Sequence, residues 1–275
     1  MTVSRPAPAL GLPGLEALMD AAWPAPDREE SDGWVLRAAS GVTQRANSVW
    51  PQRPEGDTRQ QHEALRAARL WYRGRRLPLI FQVFDDPRST GLNAFLDGEG
   101  FTRQSETLVM CRSTGTDPDV THPAVAVPGV EISTVPSDEW LELWWSVDGC
   151  GGPGERETAR SILAGCPSVY ALVRSDDGVP AAVGRLALPP AGEAGGSWGG
   201  LYCMATRPDV RRCGHALRIM QALLHEGAAR HLAGYWLLVT AANFGAQQLY
   251  ANAGFQETGR YLYRQERPKR HLTGC

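Results

Sequence analysis

The chain has 275 residues, 43% of them hydrophobic, with a net charge of −2 and a pI near 6.3. That length can bury two cores of ordinary domain size, and the balanced charge supplies no general nucleic-acid footprint. No run approaches the ~18 apolar residues needed to span a bilayer, and residues 1–18, with Pro6, Pro8 and Pro13, lack the basic-then-apolar layout of a secretory signal.

These limits predict a cytoplasmic protein with no nucleic-acid and no membrane partner. Six cysteines, at 111, 150, 166, 203, 213 and 275, show neither Cys-x-x-Cys nor Cys/His metal spacing, so reduced thiols and no metal site are expected. A single lysine, Lys269, against 27 arginines speaks of a GC-rich genome more than of a binding task.

In chain order, residues 33–39 and 45–50 read as strands carrying Trp34, Arg37, Arg45, Asn47 and Trp50, which pack a core or, alternatively, line a pocket. The apolar run 79–84 is a further strand. Residues 113–128, rich in Ser, Thr, Pro, Asp and Gly without an apolar period, read as a linker between a domain at 1–112 and another at 129–275. Beyond it, residues 130–135 form a strand and 137–147 a helix capped by Ser137, with acids in its first turn. On that helix Trp140 and Trp144 are four apart with Trp145 beside them. Core packing is the plainer account, and a wall of an acceptor pocket the other.

A glycine-rich break at 149–154 precedes a helix over 155–163. Strands at 169–174 and 181–188 are joined by the Asp176-Asp177-Gly178 turn. A Gly/Pro-rich flexible loop at 189–196 leads to a strand at 198–206.

The sequence Arg211-Arg212-Cys213-Gly214-His215-Ala216 follows, ahead of an amphipathic run in which Leu217, Met220, Leu224, Ala228 and Leu232 recur at helical spacing. A helix that begins at or just after Gly214 leaves its first N–H groups unpaired, and its dipole adds positive charge there, so an anion fits that end. Gly214 accepts backbone angles that a side chain resists, and Ala216 lets a phosphate approach the main chain. Residues 235–240 are then a buried strand. Asn243, Ala246, Leu249, Tyr250, Gly254 and Phe255 follow as Asn-x-x-Ala-x-x-Leu-Tyr-x-x-x-Gly-Phe, a short helix with a glycine stop.

The order Arg-x-x-Gly-x-Ala, helix, strand, Asn-x-x-Ala-x-x-Leu-Tyr-x-x-x-Gly-Phe resembles the Gcn5-related N-acetyltransferases, the GNAT superfamily, across residues 129–268. The ending Tyr261-Leu262-Tyr263-Arg264-Gln265-Glu266-Arg267-Pro268 resembles bacterial members built from two GNAT-like halves. The resemblance implies an α+β fold of tandem GNAT-like domains, each a mixed, mostly antiparallel sheet flanked by helices. It implies acetyl-CoA as acyl donor and an amine-bearing acceptor, small molecule or peptide, in a monomer or homodimer. Arg211, Arg212, Cys213, Gly214, His215 and Ala216 would hold the pyrophosphate. Met204, Ala205 and Thr206 would pair with the pantetheine arm and Asn243 would hydrogen-bond it. Tyr250 would protonate the departing thiolate, and the bland reading of Tyr250 is an interior tyrosine hydrogen-bonded at its tip.

The first half repeats part of this pattern at an offset of 154 residues: Gly100-Phe101 falls on Gly254-Phe255 and Phe95 on Leu249. Leu96 stands for Tyr250 and Ser89 for Asn243, and Arg53-Pro54-Glu55-Gly56-Asp57-Thr58 carries two acids where a phosphate would bind. A degenerate, noncatalytic copy is expected. The general base is open: no carboxylate lies between residues 195 and 207, and Glu142, Asp148 and Glu193 are the nearest by segment, each read more plainly as a solvated surface charge; an amine of modest pKa or a water chain would need no base. The expected activity is direct acetyl transfer to an amine, the alternative a noncatalytic acyl-CoA-binding regulator.

Overall fold

In the computed structural model, which describes residues 11–114, 127–190 and 197–267, helices and strands alternate along the chain. The first are α1 (Leu12–Ala22), β1 (Asp27–Ser31), β2 (Trp34–Ala38), β3 (Trp50–Pro51), α2 (Thr58–Gly74), β4 (Ile80–Phe84), α3 (Thr90–Gly98) and β5 (Thr102–Ser113). Then come β6 (Val130–Ser133), α4 (Asp138–Asp148), α5 (Pro153–Ala164), β7 (Ser168–Arg174), β8 (Pro180–Ala187) and β9 (Trp198–Thr206). The chain ends with α6 (His215–Ala229), β10 (Gly234–Thr240), α7 (Phe244–Asn252) and β11 (Gln256–Gln265). Most of the expected linker, and Glu193 with its loop, lie outside the described residues.

Two compact units emerge, each drawn from two stretches of chain: Met1–Pro24 with Val109–Thr258, and Ala25–Leu108 with Gly259–Cys275. In the first, β6, β7, β8 and β9 pair antiparallel in sequence, and β10 joins β9 in parallel. Nearly every residue of β7 and β8 is buried, so both read as continuous apolar runs rather than alternating ones. Helix α6 covers β7, β8 and β9, and α4 packs on β8 and β9. Gly184 makes the seat of α6 possible: a Cβ there would lie 2.5 Å from Ile219 Cγ2 and 2.7 Å from Met204 Sδ.

The buried face of α6 is Ile219, Met220, Ala222, Leu223 and Gly227, which corrects the expected stripe. Leu217 is 41% exposed and Ala228 also faces solvent. The stripe includes Gly227 because the Tyr235 ring occupies the place of a side chain there, with a Cβ only 2.4 Å from it. A count of apolar residues passes over such a glycine.

Trp140 and Trp144 are core, as expected, at 1% and 4% exposure, and the Trp140 indole donates to the Ala171 and Gly184 carbonyls. In the same unit α1 is anchored through Trp23, which stacks on Tyr202 at 5.5 Å and meets Trp144 edge-on at 6.2 Å. Beneath it the fully buried Arg185 donates to Ser168 Oγ and to the carbonyls of Ala22, Leu163 and Cys166.

The second unit pairs β1-β2-β3 in one antiparallel sheet, and β4 with β11 beside β5 in another. Trp34, Leu36, Val49, Leu65, Phe81 and Phe101 belong to its core. The strand expected at 45–50 is mostly turn, with only Val49 and Trp50 in bridges or ladders. Asn47 is the physical reason. Its Oδ1 accepts from the Ala39 and Gly41 N–H groups and its Nδ2 donates to the Val42 and Thr43 carbonyls, so one side chain replaces the ladder. Arg37, Asn47, Trp34 and Trp50 are all buried, which favours the core reading of this set.

The internal repeat extends to individual hydrogen bonds. Gly100 N–H donates to Asp97 at 3.1 Å and Phe101 N–H to Leu96 at 3.0 Å; Gly254 donates to Ala251 at 3.0 Å and Phe255 to Tyr250 at 3.1 Å. Both glycines have positive φ, 79° and 84°, which a side chain resists. β4-α3-Gly-Phe-β5 and β10-α7-Gly-Phe-β11 are therefore two copies of one motif.

Candidate active site

The first unit holds every residue assigned to the site. The ladder between β9 and β10 covers only Trp198–Leu201 against Gly234–Leu237. Beyond it a bulge sets in on the β8 side, where Val183 faces Ala205 but Arg185 faces Tyr202, and Cys203 adopts φ 55°. Residues 202–206 thus stay bonded to β8 while leaving β10. Met204, Ala205 and Thr206 therefore lie past the end of the β9–β10 ladder, on a strand edge that β10 does not pair.

A single 3-10 turn at Pro208–Val210 follows, braced by Arg207, which donates to Asp209 at 2.7 Å and to the Pro180 carbonyl at 3.0 Å. Arg211 donates to the Thr206 carbonyl, and Arg212 and Gly214 both take left-handed backbone angles, φ 66° and 81°. Arg211, between the 3-10 turn and Arg212, is extended, so the chain changes direction at Arg212 and again at Gly214 as it enters α6. Gly214 caps α6 without a side chain, so the first-turn N–H groups have no capping acceptor. Arg211, Arg212, Cys213 and Gly214 are exposed; His215 and Ala216 are half-buried. His215 Nδ1 is shielded and lacks a partner among the described residues. The loop also reaches α7, since a Cβ on Gly245 would lie 3.8 Å from Arg212 Nη2.

The matching end of α2 is built differently. Arg53-Pro54-Glu55 and Arg207-Pro208-Asp209 share the 154-residue offset, yet α2 begins five residues after its arginine and α6 eight residues after. Asp57 caps α2 by accepting from Gln60 N–H at 2.8 Å, in a capping box. A carboxylate of the protein already occupies the place of an anion. Asp32, Glu55 and Glu63 line the cavity of about 330 Å³ beside this turn against one cation, Arg53, which makes it a poor phosphate site.

Asn243 caps α7, its Oδ1 accepting from Ala246 N–H at 3.1 Å, which leaves its amide donors for another partner. Tyr250, in the last turn of α7, is buried at 7% exposure with its ring edge against Phe255. The hydroxyls of Tyr72, Tyr170 and Tyr235 donate to backbone carbonyls. Tyr250 has no such bond to a described residue, so the interior-tyrosine reading loses its tip partner. Burial, with the Asp148 charge adding to it, pushes the phenol up to about 12.

Asp148 is the residue that spacing alone did not single out from the other carboxylates. It is the last residue of α4, a turn beyond Trp144, whose indole hydrogen-bonds it. Solvent reaches the carboxylate, yet the surrounding protein raises its proton affinity, while Trp144 and Arg211 oppose that rise. Glu142 is also exposed, but six residues earlier it points about 120° around the helix from Asp148. The remaining acids nearby are engaged: Asp138 with Arg160 and Glu139 with Arg174, both at 2.7 Å, and Glu155 with Gly152 N–H at 2.8 Å.

No group of His, Cys, Asp and Glu suited to a metal occurs among the described residues, where five cysteines are free thiols. No described helix is long and apolar enough to cross a membrane.

Residues 12–264 match the family model for the C-terminal region of the probable histone acetyltransferase Rv0428c. The uncharacterized N-acetyltransferase YobR of Bacillus subtilis is 25% identical over 263 residues, 92% of this chain and 98% of the relative. The probable histone acetyltransferase Rv0428c of Mycobacterium tuberculosis is 30% identical over 217 residues, 78% of this chain and 62% of the relative. Among solved structures, a GCN5-related N-acetyltransferase from Kribbella flavida superposes with TM-score 0.63 at 17% identity, covering 96% of this chain and 98% of its own. An uncapped helix start beside an opened strand pair, with family likeness running almost end to end, leads to one assignment: the chain belongs to the Rv0428c C-terminal acetyltransferase family and is a GNAT-type N-acetyltransferase.

Proposed function

We propose that the enzyme transfers acetyl from acetyl-CoA directly to a primary amine, with its single donor site in the first unit. The observation that carries this reading is the contrast between two equivalent helix starts. α6 is capped by Gly214 with no side-chain acceptor, beside Arg211 and Arg212, whereas α2 is closed by Asp57. A diphosphate gains the free N–H groups and the positive end of α6. Met204, Ala205 and Thr206 offer the open β9 edge to the amide-bearing arm, and Asn243 offers its amide donors. Cys213 and His215 shape the loop around the phosphates, and Ala216 leaves room for them.

Attack by a neutral amine on the thioester carbonyl develops charge on oxygen and then on sulfur. Tyr250 remains protonated at neutral pH and suits the role of the acid that meets the leaving thiolate. The acceptor is an amine on a small molecule or a peptide. Free thiols throughout the described residues favour a reducing, cytoplasmic setting, and a monomer or homodimer suffices because one chain carries all the named residues.

The test is thiol release from acetyl-CoA with a panel of amines comprising methylamine, spermidine, tyramine and a lysine-containing peptide. At least one amine is expected to raise release above hydrolysis, and Gly214→Glu to abolish donor binding by placing a carboxylate at the α6 start. Donor binding without amine-stimulated release would overturn the transfer reading. Undiminished donor affinity in Gly214→Glu would overturn the loop assignment.

A further inference from the structure

We propose that Asp148 accepts the proton of an acceptor that arrives as a primary ammonium, so that the base stands at the end of α4 and the acid on α7. The inference rests on the acyltransfer reading and extends it to the charge state of the acceptor. Position is the first argument. A carboxylate in the last turn of a helix faces the negative end of the dipole, where it costs stability rather than adding to it. Helix formation does not account for Asp148, whereas Asp138 and Glu139 in the first turn are favourably placed.

Its surroundings are the second argument. Two groups act on the carboxylate, the Trp144 indole on α4 and the Arg211 guanidinium in the anion loop, and the carboxylate charge in turn acts on the Tyr250 phenol on α7. Asp148 therefore lies where the donor loop and the acid converge, and solvent still reaches it. No carboxylate occurs on β9, and the ion-paired Asp138, Glu139 and Asp209 are held elsewhere. A raised proton affinity suits a base that must take a proton from an ammonium near neutral pH.

The protons balance. Asp148 takes one proton from R–NH₃⁺, and the freed lone pair attacks the acetyl carbonyl to form the C–N bond. The C–S bond breaks, and the thiolate receives the Tyr250 proton. The nitrogen loses a second proton, which restores Tyr250, and Asp148 releases its own to solvent. The net change is R–NH₃⁺ and acetyl-CoA to R–NH–acetyl, CoA-SH and H⁺. Arg211 couples the two substrates: once a pyrophosphate draws its charge, its hold on Asp148 weakens and the base takes a proton more readily.

The test compares wild type, Asp148→Asn and Asp148→Glu with the four-amine panel, as kcat and kcat/KM against pH, alongside calorimetric titration with CoA. Asp148→Asn is expected to bind CoA within about threefold of wild type and to lose about 10²- to 10³-fold in kcat. Its acidic limb should vanish, and Asp148→Glu should restore part of the rate and a limb. Wild-type kcat and an unchanged limb in Asp148→Asn would overturn the base assignment while leaving acyl transfer intact. Absence of amine-stimulated release in the wild type would instead remove the reading on which the assignment rests.

Discussion

Burial raises the proton affinity of both Tyr250 and Asp148, the Asp148 charge adds to the rise at Tyr250, and the two consequences are separable. An acid works only while protonated, so a phenol held up to about 12 moves the alkaline limb of kcat upward. Wild-type activity should persist past pH 10, and Asp148→Asn should bring that limb down by removing the neighbouring charge. Tyr250→Phe should lower kcat about 100-fold with donor affinity unchanged, as stopped assays and CoA titration would report. Stability responds in its own direction. Tyr72, Tyr235 and Tyr250 are each raised from about 10 to about 12, so their contribution is intact below pH 10 and lost as pH rises toward 12. Thermal melting between pH 8 and 12 should show that loss. For Asp148 the same rule means that ionisation at neutral pH opposes folding, so Asp148→Asn should melt higher at pH 7 and no differently at pH 3. Tyr250 was legible in sequence because it sits within a spaced motif. Asp148 was one of three candidates, because nothing local to α4 reveals that α7 and the Arg211 loop converge on its last turn.

Elements were legible where composition and periodicity agreed. β9 ends at Thr206 as the sequence reading had it, and Ser137 accepts from Trp140 N–H at 3.1 Å as the expected cap of α4. Where a tertiary contact chose the face, the pattern misled. Gly227 lies on the buried stripe of α6 only because Tyr235 fills its space, and the turn at 45–48 exists because Asn47 satisfies four backbone groups. Two substitutions separate the roles of elements. Ser137→Ala should cost about 1 kcal/mol in urea unfolding without changing donor affinity, because the cap is at the end of α4 remote in sequence from Asp148. Gly184→Val should cost more, about 1–3 kcal/mol, and should also weaken CoA binding. The added methyls meet both Ile219 of α6 and Met204 on the open edge of β9.

At the scale of the whole chain, the duplication was visible in Gly100-Phe101 and Gly254-Phe255, while the fate of the first copy lay in a shorter loop and an acidic cap. Calorimetric titration should therefore find about one CoA per chain. Asp57→Ala should destabilise α2 by about 1 kcal/mol without creating a second site, since the turn remains three residues short and faces Asp32, Glu55 and Glu63. The sequence alone also concealed the membership of α1, because the chain returns to the first unit only at Val109. That membership bears on how the protein can be dissected. Arg185 has no carboxylate among its hydrogen-bond partners, and one of its acceptors is the carbonyl of Ala22, with Trp23 lying over its guanidinium at 5.6 Å. A catalytic fragment that begins at residue 129 would keep every residue assigned to catalysis, yet would leave an interior cation short of an acceptor and open to water. The N-terminal helix is in this sense an internal part delivered from the far end of the chain, and the activity should not be portable without it.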